Sequence, residues 1–576
     1  MKNIDLYQER QYCSSFQVTG ICKMHNTNHI YAIIWFDKPN LGIDCEVAIP
    51  ITDAASLKFG HMVPEGFLVG GQTLKETQRY IYNSIGKVLH TAIVGTLLPQ
   101  GYSYIDGRWV YVLGDNVIND LSHTYYPHNP RGLKIDLEKQ SISSERTTAR
   151  ANWVRWCKSY CKAGDAQAAL FLSALTPYLY PITEALNLPT KVVNAFVLGR
   201  SGTGKTSYAK LLTDLGDGNP AGVNLSTDKK ALVAELAENY IDRSFLFDDL
   251  NLSSSAREVE KKKARLSEII QMSSSEGDIC VDGKGLNLDR TSLIITGEFL
   301  PDSASTINRC VLIKLEGDFD PERLTELQNN REQYGFFIVD FVTWLCNNAE
   351  ELIEVVRSSL DEGCCNYNAS NISPKEYIGY PRIISSYRLL KIAQILVMHF
   401  FSEQGLFESQ EQYRKLDDRL GRGVSKAISD TLAEVSTAQS IPDILMVIAE
   451  IFASNTDKTV AKKPEQFFEG TRIFFRYGSF YYCRGKTLAK YIGAKLNREV
   501  STNAISRVLV RAGIISPYGG EYSAKLPRLP GDINKDDKHR YYRLSVSALI
   551  ELVTSVYPNF FERMKSPIRE LRPKNT

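Results

Sequence analysis

Eight consecutive residues carry the plainest chemistry in this sequence. Gly199-Arg200-Ser201-Gly202-Thr203-Gly204-Lys205-Thr206 fit the spacing G-x-x-x-x-G-K-[ST]. Glycines at these places let successive backbone N–H groups turn inward around phosphate oxygens, and a helix starting at the lysine adds the positive end of its dipole. Lys205 then reaches the β- and γ-phosphates of a nucleoside triphosphate, Thr206 holds Mg2+, and Ser207 continues the cradle. The apolar strand Val192–Leu198 leads into the loop and helix-forming residues leave it. That context separates a phosphate loop from a glycine turn of purely structural kind. ATP and Mg2+ are the expected cofactors.

A second apolar strand, Phe245-Leu246-Phe247, ends in Asp248-Asp249. It resembles the acidic strand end, or Walker B segment, of phosphate-loop ATPases. In that likeness Asp248 holds the magnesium ion, directly or through water, and Asp249 orients or deprotonates the attacking water. Glu is usual at the second place, and the shorter Asp249 bears on water positioning and rate. A third strand, Ser292–Thr296, runs into Gly297-Glu298, and Ser305-Thr306-Ile307-Asn308-Arg309 precedes a fourth, Cys310–Leu315. This order resembles the sensor strand and arginine finger of AAA+ ATPases. It implies Thr296 as γ-phosphate sensor, where Asn is more usual, and Arg309 as a guanidinium reaching into a neighbouring subunit's site. An ordinary surface cation is the alternative for Arg309. Arg382, heading a lid-like helix, is the candidate second sensor, with Arg388 as its competitor.

Between the second and third strands, alternating residues flank Asp282-Gly283-Lys284-Gly285, a hairpin signal because glycine accepts positive φ. Lys284 is expected at the tip. In ring helicases of the pre-sensor-1 hairpin type the insertion at this place points into the central pore, so the resemblance implies that Lys284 contacts the phosphates of a single DNA strand. A solvated turn lysine is the alternative. Near the C-terminus, Pro442–Ala453 is an amphipathic helix, and Thr487–Leu496 and Ser501–Ala512 form a helix pair with Ser501 as N-cap. Ile514–Gly520 and Arg540–Leu544 follow, completing a winged-helix order. Arg484, Lys486, Lys490, Lys495, Arg498, Arg507 and Arg511 face one acid, Glu499, over this stretch. Such a basic face suits a duplex backbone, with Arg498 and Arg511 among the DNA contacts and Asn503, Ser506 and Arg507 as base-edge candidates. Winged helices also bind proteins, the alternative here.

The elements that position these residues fall into an α/β order. The chain has 576 residues and a net charge of +2, so several domains are expected, and DNA contact must come from local basic surfaces. Residues 1–148 look mostly β, with runs such as Ile30–Phe36 and Trp109–Leu113; no catalytic constellation occurs there. Residues 149–404 alternate strands and helices as an ATPase core with a helical lid. A linker is expected over 405–439, where Glu408–Arg422 is a linker or a solvated helix. A winged-helix domain follows over 440–560 and a disordered tail over 561–576. The 11 cysteines lack paired zinc-site spacing and are expected as free thiols. The N-terminus is not a signal peptide, and the uncharged stretch Ala166–Thr183, broken by Pro177 and Pro181, is expected as a buried helix and not a membrane span. A cytoplasmic protein is expected.

Taken together, Gly199–Thr206, Phe245–Asp249, the hairpin at Lys284, Thr296 and the Ser305–Arg309 segment resemble the minichromosome-maintenance-like AAA+ helicases, above all replication proteins of integrated bacterial mobile elements, over about residues 150–550. The resemblance implies a self-loading hexameric replicative helicase with a β-rich collar, single-stranded DNA in the pore and duplex at the winged helix. A loader or regulator protein is a further expected partner. Two departures stand out: the N-terminal part lacks the paired cysteines of a zinc-bearing collar, and Asp249 replaces Glu. An origin-binding initiator that melts DNA locally is the related alternative. An ATP-switched DNA-binding regulator is the rival, although Gly216–Arg243 holds nothing like the G-A-F-T-G-A loop of enhancer-binding activators.

Overall fold

A computed structural model describes residues 15–25, 29–38, 43–64, 67, 73–88, 95–119, 125–128, 143–215, 222–223, 236, 239–250, 256–273, 279–281, 284–286, 288–298, 300, 304–315, 320–363, 365, 381–454, 459–468, 472–496, 500, 502–515, 523–524 and 541–557. The chain is mixed α/β and falls into two compact units, residues 1–301 with 305–432, and residues 302–304 with 433–576. Arg498, Ser501, the residues 282–283 and the tail 561–576 lie outside the described residues.

The first unit begins with strands whose burial follows the two-residue pleat. In β1 (Ser15–Met24) and β2 (Ile30–Lys38), Phe16, Val18, Ala32, Ile34 and Phe36 pack with Ile81 and Ile85 of the helix Leu74–Val88. Tyr31 and Ile33, on the alternate face, join Cys22, Met24 and Leu97 in a second cluster. A bulge between Val18 and Gly20 shifts the phase of β1, which is why Ile21 joins Val18 on the first face. With β3 (Ile43–Pro50), β4 (Gly95–Leu98) and β8 (Tyr125–Pro127) the order is β3-β2-β1-β4-β8. The strands β5 (Gly101–Ile105), β6 (Arg108–Leu113) and β7 (Asn116–Ile118) form a separate antiparallel sheet.

The central sheet consists of β9 (Asn194–Leu198), β10 (Gly222–Val223), β11 (Ser244–Leu250), β14 (Ser292–Gly297) and β15 (Cys310–Lys314), all parallel, in the order β10-β11-β14-β9-β15. These strands are continuous apolar runs, and β14 is buried throughout. That pattern is required of a parallel sheet covered on both sides. The helix Ala256–Ser273 covers one face with Leu266, Ile269 and Ile270. The helix Asp165–Leu175 also packs on β9, β14 and β15. Each large apolar side chain so buried contributes roughly 1.5–3 kcal/mol before entropy is counted. The edge of β15 is closed by a side chain: the Leu312 N–H donates to the Thr431 hydroxyl at 2.7 Å.

Trp153, on the helix Ser143–Lys162, stacks among Phe337, Phe400 and Phe401 and donates its Nε1–H to Asp340 at 2.9 Å. Phe400 and Phe401 belong to the helix Pro381–Glu403. Among the described residues it is the one helix long and apolar enough to cross a membrane, and its apolar residues are largely buried within this unit. The stretch Ala166–Thr183, expected as one buried helix, is two helices, Asp165–Leu175 and Tyr180–Ala185, joined by a 3-10 turn at Pro177. The expected linker 405–439 is helical from residue 410 onward, within the helix Gln410–Ser454. Its apolar residues Leu416, Leu420, Val424, Ala427 and Ile428 recur at helical spacing and are buried, which its charged composition conceals.

In the second unit the end of that helix buries Ile444, Val447, Ile448, Ile451 and Phe452 against the helices Gly485–Leu496, Thr502–Arg511 and Val546–Val556. The sheet of this unit contains β16 (Val460–Ala461), β17 (Phe474–Tyr477), β18 (Phe480–Cys483), β19 (Ser523–Ala524) and β20 (Tyr541–Ser545), in the order β16-β17-β18-β20-β19. The β17–β18 hairpin precedes the helix pair and β19–β20 follows it.

Candidate nucleotide site

The candidate phosphate loop, Gly199–Thr206, lies at the C-terminal end of β9, where the chain's first central strand is flanked by its fourth and fifth. Ligand crevices in open α/β sheets form at such reversal points. Gly202 and Gly204 hold φ of 81° and 77°, conformations that side chains resist, so the loop can turn twice before the helix Lys205–Leu211. A Cβ on Gly199 would stand 2.9 Å from Thr203 Oγ1 and 3.0 Å from the Leu315 carbonyl, so the start of the loop admits only glycine without a shift. Lys205 is buried and its Nζ donates to the Arg200 carbonyl at 2.7 Å, folded over its own loop. The Gly199 N–H donates to the Gly297 carbonyl at 3.3 Å, tying the loop to the end of β14.

Asp248 is the hub. Its Oδ1 accepts from the Thr206 hydroxyl at 2.8 Å and from the Thr296 hydroxyl at 2.6 Å. The loop, the acidic strand end and the expected sensor strand therefore meet on one carboxylate oxygen. The register of β11 against β14 runs Phe247↔Ile295 and then Leu250↔Gly297, so one extra residue is inserted in β11 across Asp248-Asp249. Such a bulge breaks strict alternation and re-aims the residues that it contains. Asp249 lies within β11; its side chain is outside the described residues. A hydroxyl and a carboxylate are hard oxygen donors, and the set fits Mg2+.

Arg309 sits elsewhere. Cys310 pairs with Asn194 and Lys314 with Leu198, so Arg309 lies at the N-terminal edge of the sheet. That is one strand length, roughly 16 Å at 3.3 Å per residue, from its own phosphate loop. It lines a cavity of about 630 Å3 with Arg382, Lys191, Asn194, Asp289 and Ser385. Its Nη1 donates to the Ser305 carbonyl and hydroxyl, both at 2.6 Å, and its buried Nε has no hydrogen-bond partner among the described residues. Burial and the nearby Arg382 guanidinium both push Arg309 below the usual arginine value. Arg382 and Arg309 thus occupy one cavity, away from the Lys205 loop of the same chain; Arg388 does not line it.

The residues expected to face DNA are placed as follows. The strands β12 (Ile279–Val281) and β13 (Lys284–Leu286) pair antiparallel, with Val281 opposite Lys284 and two residues between them. Lys284 is therefore the first residue of β13, held in the ladder; residues 282–283, which precede it, lie outside the described residues. Asn503, Arg507 and Arg511 recur at four-residue intervals on the helix Thr502–Arg511, on the side opposite the buried Ile505, Val508 and Leu509. Ser506 is half-buried and hydrogen-bonded to Tyr542. Lys495 is ion-paired with Glu450 at 2.9 Å, so its charge is already answered within the fold.

Sequence reasoning missed Asp242 and Arg290, which form an ion pair at the roots of β11 and β14, the carboxylate buried and the guanidinium partly so. Asp242-Arg243 before an apolar strand has the composition of a turn, and nothing in the sequence links it to a residue 48 positions on.

No family model matches the sequence, and no curated protein matches it. Among solved structures, the chain is similar to one titled "SCCmec type IV Cch - active helicase", at 15% identity and a TM-score of 0.49, over 93% of this chain and 95% of that one. It is similar also to "The X-ray structure of JCV Helicase", at 12% identity and a TM-score of 0.22, over 50% of this chain and 76% of that one.

Proposed function

We propose that the chain is an ATP-dependent DNA helicase whose copies assemble as a ring, a hexamer, with nucleotide held at each subunit boundary. The observation that carries this reading is the convergence of the Thr206 and Thr296 hydroxyls on Asp248 beside the Lys205 loop. Thr206 and Asp248 hold Mg2+, which when bound neutralises charge on the β- and γ-phosphates. Lys205 exchanges the Arg200 carbonyl for phosphate oxygens. Asp249 orients the attacking water, and Thr296 fixes Asp248 and senses the γ-phosphate. Arg309, too far from its own loop, serves the neighbouring copy's transferred phosphoryl group, and Arg382 shares that approach.

Lys284, beside the turn of the β12–β13 hairpin, grips a single DNA strand in the ring, while the face carrying Asn503, Arg507 and Arg511 follows duplex DNA. A base-pair step costs about 1.4 kcal/mol on average, within reach of one ATP. Lys205→Ala abolishes hydrolysis in this reading. Strand displacement proceeds with ATP and not with a slowly hydrolysed analogue; unwinding that is equal with both excludes a motor. The same face of Thr502–Arg511 supports a second, compatible activity, recognition of an origin. A footprint over the origin that survives deletion of 440–576 excludes it.

A further inference from the structure

Asp242 and Arg290 each stand six residues before Asp248 and Thr296, at the opposite ends of the same neighbouring strands, β11 and β14. Asp242 is 1% exposed and holds a φ of 56°, a left-handed conformation uncommon outside glycine that Asp accepts more readily than most residues. Every polar atom it has is engaged. Its N–H donates to the Arg290 carbonyl at 2.9 Å, and its own carbonyl accepts the Tyr111 hydroxyl at 3.1 Å. Its Oδ1 accepts from Arg290 Nε at 2.8 Å; its Oδ2 accepts from Arg290 Nη2 and from the Tyr102 N–H, the latter at 2.7 Å. Arg290 Nη2 also donates to the Tyr102 carbonyl at 3.1 Å, and its guanidinium lies 3.7 Å over the Tyr180 ring. Gly101 makes this approach possible: at φ 82°, a Cβ there would stand 2.6 Å from Asp242 Oδ2.

Five segments therefore meet at one ion pair: β5, β6, the helix Tyr180–Ala185, the approach to β11, and the connection from the β12–β13 hairpin to β14. Desolvating such a pair costs about what its attraction returns, and apolar replacements are often as stable. What a bidentate pair adds is fixed orientation. Arg290 is two residues from the start of β14 and four from the end of β13, so it bolts down the short connection from the hairpin to β14, the one of the hairpin's two chain connections that leads directly into the central sheet. Beyond β14 lies Thr296, bonded to Asp248.

Resting on the helicase reading above, the geometry points to Asp242 and Arg290 as positioning residues that carry a nucleic-acid load on the β12–β13 hairpin along β14 and β11 to the Asp248–Thr296 pair. The β5–β7 sheet is the fixed frame against which the strands are held. Severing the pair leaves the nucleotide site assembled but deaf to DNA.

The test compares full-length wild type with Arg290→Met, Asp242→Asn, the double variant and Tyr111→Phe, which removes only the hydroxyl on the Asp242 carbonyl. Three quantities are read: affinity for a fluorescent ATP analogue, hydrolysis without DNA, and the ratio of hydrolysis with and without an oligo-dT strand. The pair variants are expected to keep nucleotide affinity within about twofold and DNA-free hydrolysis within about threefold, to lose the DNA stimulation, and to lose no more in the double variant than in either single one. Arg290→Lys keeps the charge without the fork and is expected to stimulate to an intermediate degree. Variants stimulated as strongly as wild type overturn the inference, as does a fall in DNA-free hydrolysis and thermal midpoint with an unchanged ratio. If Arg290→Met does not fold, Tyr111→Phe and Arg290→Lys decide by the same ratio. Wild-type protein without ATP hydrolysis overturns the helicase reading, and this inference with it; a DNA-stimulated wild type with equally stimulated variants overturns this inference alone.

Discussion

The Thr296 hydroxyl donates to Asp248 Oδ1 at 2.6 Å across the adjacent strands β14 and β11. Because the Thr206 hydroxyl shares that oxygen, the Asp248 carboxylate is held from both sides. Asp248→Asn is expected to lower kcat by about 10²–10³-fold, the scale of losing one preorganised electrostatic contact. Thr296→Val keeps the shape and loses one hydrogen bond to a charged group. About tenfold in kcat is expected, with ATP affinity little changed. Steady-state kinetics on both variants checks this; equal kcat in Thr296→Val and wild type removes the sensor role.

Lys284 pairs with Val281, and its backbone is part of the hairpin ladder. Truncating its side chain leaves that ladder intact. Lys284→Ala is expected to hydrolyse ATP at the wild-type rate in the absence of DNA and to unwind no duplex. Normal unwinding by Lys284→Ala excludes the hairpin as the strand-gripping element.

The parts legible in sequence were those set by local spacing. The run Gly199–Thr206 carries its own backbone logic, and the loop forms where the pattern puts it. The apolar blocks around Phe245–Phe247 and Ser292–Thr296 likewise became β11 and β14. Strand order was not legible, because hydrogen bonding between β9 and β14 is fixed by crossovers and not by either strand's residues. The bulge at Asp248-Asp249 left no composition signal. The helix Gln410–Ser454 was obscured because charged residues between Leu416, Leu420 and Val424 mask the buried stripe. The Asp242–Arg290 pair depends on a long-range approach that only the assembled sheet provides.

Burial raises the thiols above their ordinary value: Cys310 and Cys346 to about 12, Cys22 to about 11, and Cys157 in the same direction. A raised thiol stays protonated at neutral pH, and only the thiolate attacks alkylating agents. Iodoacetamide at pH 7.5 is therefore expected to leave Cys157 and Cys310 unmodified in the native protein and to label both in denaturant. Peptide mass spectrometry reads the outcome, and rapid native labelling of Cys310 contradicts its burial at the start of β15.

Gly335 lies in the first turn of the long helix Glu332–Asp361, where it passes the Leu215 carbonyl; a Cβ there would stand 2.5 Å from that oxygen. Alanine gains about 1 kcal/mol of helix propensity over glycine. Overpacking against backbone costs typically 1–3 kcal/mol, so the clash decides the sign. Gly335→Ala is expected to lower the urea midpoint; a raised midpoint contradicts this close approach.

Arg309 lies a strand length from the loop of its own chain, in one cavity with Arg382. Lys205→Ala and Arg309→Ala should each be inactive alone. Mixed in equal amounts before assembly, they form some boundaries where an intact loop meets an intact arginine from the next copy. Random mixing is expected to restore about one quarter of the wild-type rate of ATP hydrolysis. A mixture as inactive as its two parents, with mixed assembly verified, contradicts a site shared between copies.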